Sequence, residues 1–500
     1  MARPATAVVD TTALTAARVD VGARVGWTLR MARLATGTAG GAMVGRLADV
    51  GVRVSEPTIS GAERGAVPAS NHLVRGYEQV LSMAPGSLRG MVAMLSRTFG
   101  QPVAAGPRHV DLATLSGYYE RVTADPTGAT GGDWLDLAEV MTAPGVLTPV
   151  GVVRPLVRRL QSELARSVGP AYLGRYEALA RFRTSIYAEQ VQDAVAQAVT
   201  TPYAMAVVDR IVVLSEHYSP STFALLAGWL GHPDASVARG AAMALVNYRT
   251  PHALKAVDWT PLVEPFVAAY NGQPDDERRH ASLSSLFRNL PRPVRAALAD
   301  RLERPVAALD RPRDWTTGRR NHQLGECAHI AETITQALSV PEQPMLARLL
   351  FEALFDFRPD RQFTSAMTLG LLPCHELIAE ALLGLADSTT DAGTHQGVLN
   401  LAMSLSAPAS ERVASAWLDS DDEEKQADAL VAAAHAGVRV PAGRLAELVA
   451  GAGPRRERAV YAAGMTGHPV LRAWAAERTT DEWLRGSARW WIGEGTRVVR

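Results

Sequence analysis

The residue sets able to do chemistry are few, and most fail on spacing. His375-Glu376-Leu377-Ile378-Ala379 begins like the H-E-x-x-H helix of a catalytic zinc site, but Ala379 stands where the second histidine must be. The only lysines, Lys255 and Lys425, follow no glycine-rich run, so no phosphate-cradling P-loop is present. No G-x-S-x-G elbow offers an exposed nucleophilic serine, and no G-x-G-x-x-G follows a strand. His322, Cys327, His329, Cys374 and His375 form a loose metal-capable set. Their spacing matches no common zinc template, and two buried thiols beside solvent-facing histidines is the simpler reading. The sequence therefore points away from an enzyme and implies no cofactor and no metal. What remains is a polar run: Arg53, Ser55, Glu56, Thr58, Ser60 and Arg64. Its hydroxyls can bond to base edges or phosphates, Glu56 can accept from a cytosine amino group, and the arginines suit phosphate oxygens.

Such a run meets DNA only if a helix presents it. Ser55 is a good N-cap, Pro57 falls in the first turn where its missing N–H costs little, and Gly65 ends the segment, which predicts a short helix over residues 56–64. Residues 21–36 read as a helix with Val25, Leu29, Met31 and Leu34 towards one side, and the glycines at 37–41 break it. A second helix covers about 42–50, a turn 51–54, and after Pro68 two more helices cover 70–82 and 87–99. Ile59 is expected to point inward against Leu47, leaving the polar run outside.

Leu47-Ala48, Gly51, Ser55, Thr58-Ile59-Ser60, Glu63-Arg64-Gly65, Pro68, Leu73 and Tyr77-Glu78 together resemble the helix-turn-helix of the XRE/Cro/phage-repressor family. The resemblance covers about residues 21–85, and its most specific piece is T-I-S-x-x-E-R-G followed by proline. Gly51 comes early in the turn, and Arg53 sits about where the family would place that glycine. The resemblance implies a DNA-binding head whose second motif helix enters the major groove of double-stranded DNA. Glu63 is expected to stay off the DNA, in an internal pair or cap with Arg64, because a carboxylate repels phosphate.

From Asp133 onward the chain shows no strand alternation and reads as successive amphipathic helices joined by short Pro/Gly/Asp turns. Three stretches repeat a helix-turn-helix plan around Gly231-His232-Pro233-Asp234, Ser420-Asp421-Asp422 and Gly467-His468-Pro469, and the first resembles a HEAT repeat. Units of this kind bury their apolar faces by stacking. The fold class expected is all-α: a small helix-turn-helix domain followed by an α-solenoid-like, HEAT-like body, with an irregular all-α domain as the alternative. The divisions are a flexible tail at 1–20, the head at 21–100, a connector at 101–133 and the body at 134–500. Hinges are expected at 101–108 and 123–132, where prolines and glycines gather. Trp474, Trp483, Trp490 and Trp491 would bury the last repeat as a terminal cap.

Lys+Arg and Asp+Glu both total 51, so the chain is neutral, yet residues 1–100 hold eleven arginines against six acidic groups. A head with five excess positive charges on a mildly acidic body suits nucleic acid. A second basic stretch, Arg154 to Arg183, either widens that footprint or forms a solvated face with internal ion pairs. Two cysteines make no disulfide framework and no apolar run reaches membrane-spanning length, so a cytoplasmic protein is expected. The function expected is a DNA-binding transcriptional regulator whose body dimerises or binds a regulatory partner. The alternative is an interaction scaffold whose head does not read DNA.

Overall fold

Three of the first four helices begin where a polar side chain satisfies an orphan amide. In the computed structural model, which describes residues 7–101, 111–124, 128–248, 257–272, 276–306, 317–451, 453–477 and 481–499, Asp20 caps α1 (Val21–Ala35), Ser55 caps α3 (Glu56–Glu63) and Ser70 caps α4 (Asn71–Val80). Between them lies α2 (Gly40–Asp49), and α5 (Ser87–Thr98) completes the N-terminal unit. Further along come α6 (Leu112–Thr123), α7 (Gly131–Met141), α8 (Val150–Leu164) and α9 (Pro170–Arg183). The described residues form 27 α-helices and no strand beyond an isolated bridge between Ser167 and Val498. None of these helices is long and apolar enough to cross a membrane.

The body is α-solenoid-like. Neighbouring helices pack in sequence, as Pro220–Trp229 does on Ala235–Asn247 and Ala407–Leu418 on Glu423–Ala436, and alternate helices stack, as Glu423–Ala436 does on Pro454–Met465. Asp234 and Asp422 cap the second helices of the first two pairs, so the acidic turns read from the sequence are helix starts. The stack closes on itself. Glu494, on the last helix Glu482–Glu494, accepts from Ser162 of α8 and lies 3.4 Å from Arg210, and Tyr203 donates to Glu482 at 2.7 Å. Trp491, rather than Trp483 or Trp490, is the deepest of the late tryptophans. It lies flat on Gly464, where any Cβ would collide with the ring, and its indole N–H points at the Met205 sulfur at 3.2 Å. The aromatics seal the last helix against the beginning of the body instead of capping a free end.

The head is built into this closed array. α1 is buried nearly all round: Val25 and Leu29 enter the head's core, while Ala23, Trp27 and Met31 enter the core formed by residues 327–491. Arg24 donates to both oxygens of Glu352, at 2.7 and 2.8 Å, and to Asp10 at 2.9 Å, and the Trp27 indole donates to Gln343 at 3.0 Å. Glu352 also accepts from Arg348, Arg361 and Ser365. On the other side, Arg75 and Arg89 pair with Asp136 of α7, and Arg97 pairs with Glu177 of α9 and with Glu216, each at 2.7 Å.

Three expectations are corrected. Residues 7–20 are not a loose tail. Arg348 donates to the carbonyls of Asp10 and Thr12, Arg358 to those of Leu14 and Ala16, and Arg361 to those of Ala16 and Arg18, so every second carbonyl from Asp10 to Arg18 is held. The glycine end of the 123–132 break is no hinge either: Gly131 and Gly132 are wedged between Gly86 and Gly174, with a capping box from Thr130 and Asp133 starting α7. The break at 101–108 lies, apart from Gln101, outside the described residues, as does 125–127. Finally, the head's excess charge is not a free surface. Arg24, Arg75, Arg89 and Arg97 are spent on body carboxylates, and the charge asymmetry is largely an internal interface.

Burial alone would raise the Glu352 carboxyl, but hydrogen bonds and charge from Arg24, with Arg361 and Arg348, pull it down to about 2. Its stabilisation is therefore complete above the ordinary glutamate range and drains away as pH falls from about 4.5 through about 2. Glu352→Gln should cost about 3–5 kcal/mol at pH 7, since it leaves buried guanidiniums underpaired. Urea unfolding at pH 7 and pH 3 should show the gap between variant and wild type narrowing at the lower pH.

Candidate nucleic-acid interface

The polar run sits on α3 because its inner face is fixed three ways. Ile59 is 2% exposed and lies in one core with Leu47, Val52 and Leu73. Gly65, at φ +69°, lets the end of α3 cross the α1 backbone: a Cβ there would stand 2.4 Å from the Gly22 carbonyl oxygen, and one on Gly26 would strike Gly65 and Ala62. Glu63 is buried and forked to Arg33 by two bonds of 2.6 Å, and it also accepts from the Tyr77 hydroxyl at 2.7 Å. Hydrogen bonding to Glu63, foremost, raises the Arg33 guanidinium above its ordinary value, and burial with the adjacent Glu63 charge raises the Tyr77 phenol. The third guanidinium nitrogen of Arg33 donates to the Thr38 carbonyl at 2.7 Å, which ties the start of α2 to the same node.

Glu63 is thus internal, as its charge requires, but its partner is Arg33 and not Arg64. Arg64 reaches back along the helix to the Ser60 hydroxyl. Arg33 carried no role in the sequence reading, and Tyr77 entered it only as part of the helix-turn-helix resemblance. Their meeting with Glu63 depends on α1 and α4 converging on α3, which no local spacing encodes.

The six sequence-derived residues fall on one region. Ser55 accepts from the Thr58 amide at 3.3 Å, and the two hydroxyls are 2.9 Å apart. Glu56, Thr58 and Arg64 are exposed on α3 and its C-cap, Ser60 is half-buried, and Arg53 is exposed in the preceding turn. The Glu56 carboxylate lies over Gly40 at the N-terminus of α2, where the helix dipole favours a negative charge. With Arg33 neutralised by Glu63, Arg64 is the exposed cation at the far end of α3, while the nearby Arg30 is buried and feels the Glu63 charge ahead of those of Arg33 and Arg64. The surface can offer hydroxyls to base edges along its middle and guanidiniums to phosphates at its two ends.

The second basic stretch is structural at its centre. Arg175 donates to Glu163 at 2.9 Å, and Arg183 donates to the carbonyls of Leu214, Ala188 and His217 and to Thr222, while Arg154 and Arg158 stay exposed. The metal-capable set does not assemble. Cys327 and Cys374 are buried in one apolar core, which pushes the Cys374 thiol up to about 12 and raises that of Cys327 as well. Among the described residues no three His, Cys, Asp or Glu side chains are placed to hold a metal.

No protein-family model, no curated protein and no solved structure matches this chain.

Ile59→Asp should remove the inner anchor of α3 and bury an unpaired charge, costing several kcal/mol, on the order of 3–5. Thermal melting of the full chain checks this. A variant that melts with the wild type would mean that α3 does not depend on this contact.

Proposed function

We propose that the chain is a DNA-binding regulator of the XRE/Cro/phage-repressor helix-turn-helix type, with α2 and α3 as the motif pair and α3 as the helix that enters the major groove. The observation that carries this reading is the division of α3. Its inner side is locked by Ile59, Gly65 and the Glu63–Arg33–Tyr77 node, while Arg53, Ser55, Glu56, Thr58 and Arg64 remain outward. A helix held this firmly with a polar outer edge has the rigidity that base readout needs. Thr58, Ser55, Ser60 and Glu56 would meet bases, and Arg53 and Arg64 phosphates.

The scaffold reading is favoured by one observation, the consumption of Arg24, Arg75, Arg89 and Arg97 inside the molecule. It leaves few cations for the phosphate backbone, so duplex binding would show a shallow salt dependence. Gel shifts with the full chain over a salt series separate the two readings. Arg64→Ala should weaken binding to all sequences alike and lower the salt slope by about 1, whereas Thr58→Ala should change sequence preference. No retardation by the wild type even at low salt would leave the scaffold reading standing.

One recognition helix covers half of a two-fold site, so the body is the part that would bring a second head or a regulatory partner into place. Because the head is built into the body, spacing would be set by the rigid array. Light scattering of the full chain with and without duplex should show a dimer, at least on DNA. A strict monomer in both conditions would end the dimer proposal.

A further inference from the structure

A cleft of about 1040 Å³ opens where the N-terminal arm crosses the body, a volume that takes a drug-sized molecule. Leu14 of the arm forms one wall, Leu324, Ala328 and Ala331 of the helix Thr317–Ala337 a second, and Ala347 of the helix Pro344–Phe355 a third. The turn between those two helices also lines the cleft. There Ser339 holds φ at +53°, in the left-handed region where glycine is usual at a helix end. Its amide donates to the Gln336 carbonyl at 3.0 Å, and the Val340 amide donates to that of Thr335 at 3.0 Å. Glycine would end the helix equally well without strain, so a serine kept in that conformation marks the cleft wall as a place of use.

The deeper polar groups are already satisfied within the protein. Arg348 donates through Nε to Glu352, through Nη1 to the carbonyls of Asp10 and Thr12, and through Nη2 to the Thr12 hydroxyl. Gln343 accepts from Trp27 and donates to the Pro341 carbonyl at 2.8 Å, and the Thr335 hydroxyl donates to the Glu332 carbonyl at 2.9 Å. An anion finds no unspent guanidinium here, and the inner walls offer mainly apolar surface. At the solvent side stand two carboxylates, Glu332 and Glu342, with His329 exposed beside them. Among the described residues neither glutamate forms an ion pair, and the carboxylate of Glu332 has only a neutral partner, the Gln336 amide at 3.0 Å.

We propose that this cleft binds a small organic cation with an apolar body, an aryl- or alkylammonium, and that the bound molecule braces the N-terminal arm. The apolar part would lie between Leu14 and Ala328, and the ammonium would sit at the mouth, where the uncompensated charge is negative. Such a ligand touches the arm through Leu14. It also rests on Arg348 and Gln343, which hold the arm's carbonyls and Trp27 of α1. A ligand that binds only while the arm is in place stabilises the docked arm by mass action. The proposal stands independently of the DNA reading.

The test titrates the full chain with phenylbutylammonium, phenylbutanol and phenylbutyrate, which share one apolar body and carry positive, zero and negative charge. A pH of about 8 lies above the ordinary histidine range. Wild type should bind the ammonium about fivefold or more tightly than the alcohol, the gain given by one exposed carboxylate about 4 Å away, and should bind the carboxylate most weakly. The double variant Glu332→Gln, Glu342→Gln should lose that preference and keep its affinity for the alcohol. Ala328→Trp, at an exposed position of the cleft wall, should weaken all three about tenfold or more by filling the space. Saturating ammonium should slow amide hydrogen exchange across residues 12–16 severalfold in wild type and leave it unchanged in Ala328→Trp. No binding of any probe, equal affinity for ammonium and carboxylate, or a preference that survives the double variant each overturns the proposal. So does binding that persists in Ala328→Trp, which places the probe elsewhere, or binding that leaves exchange in the arm unchanged.

Discussion

The N-terminal helix is joined to the late part of the body through a buried fork between Arg24 and Glu352. One partner lies on the first helix of the head and the other deep in the body, 328 residues later. Two charges removed from water gain only if their geometry is good and their remaining hydrogen-bonding capacity is met. Here Glu352 has four donor side chains and Arg24 a second carboxylate, Asp10. The same arginines that serve Glu352, Arg348 and Arg361, hold the backbone of the arm that leads into α1. Disturbing the fork would loosen the arm, α1 and the helix Pro344–Phe355 together.

This changes what a basic N-terminal unit means. Read as a separate domain, eleven arginines against six carboxylates suggest a surface waiting for a polyanion. In the folded chain much of that excess is matched by Glu352, Asp136, Glu177 and Glu216. The asymmetry along the sequence is the record of an interface within one chain. The outward face of α3 keeps its polar residues, but with Arg53 and Arg64 as its exposed cations.

Local chemistry was legible and long-range chemistry was not. Ser55, Pro57 and Gly65 bound α3 as their types require, and Ile59 lies inside because only one face of so short a helix can be apolar. The acidic turns before Ala235–Asn247 and Glu423–Ala436 were visible because capping is a local bond. The fixed arm was missed because its partners read its carbonyls, which every sequence carries. The second buried face of α1 was missed because Trp27 breaks the single-stripe pattern that marks a surface helix. Likewise, glycines at 131 and 132 suggest freedom until the backbones of Gly86 and Gly174 are seen against them.

The closed array also has a consequence in time. Contacts between Arg24 and Glu352, and between Ser162 and Glu494, span 328 and 332 residues, so they form only after most of the chain exists. At roughly 5–20 residues per second on a ribosome, Trp27 and Met31 would wait on the order of 16–66 s for the surface that covers them. During that interval α1 presents a second apolar face with no cover, and the nascent chain is exposed to aggregation and to binding by holding chaperones. Refolding from denaturant, where all segments are present at once, should lack this delay.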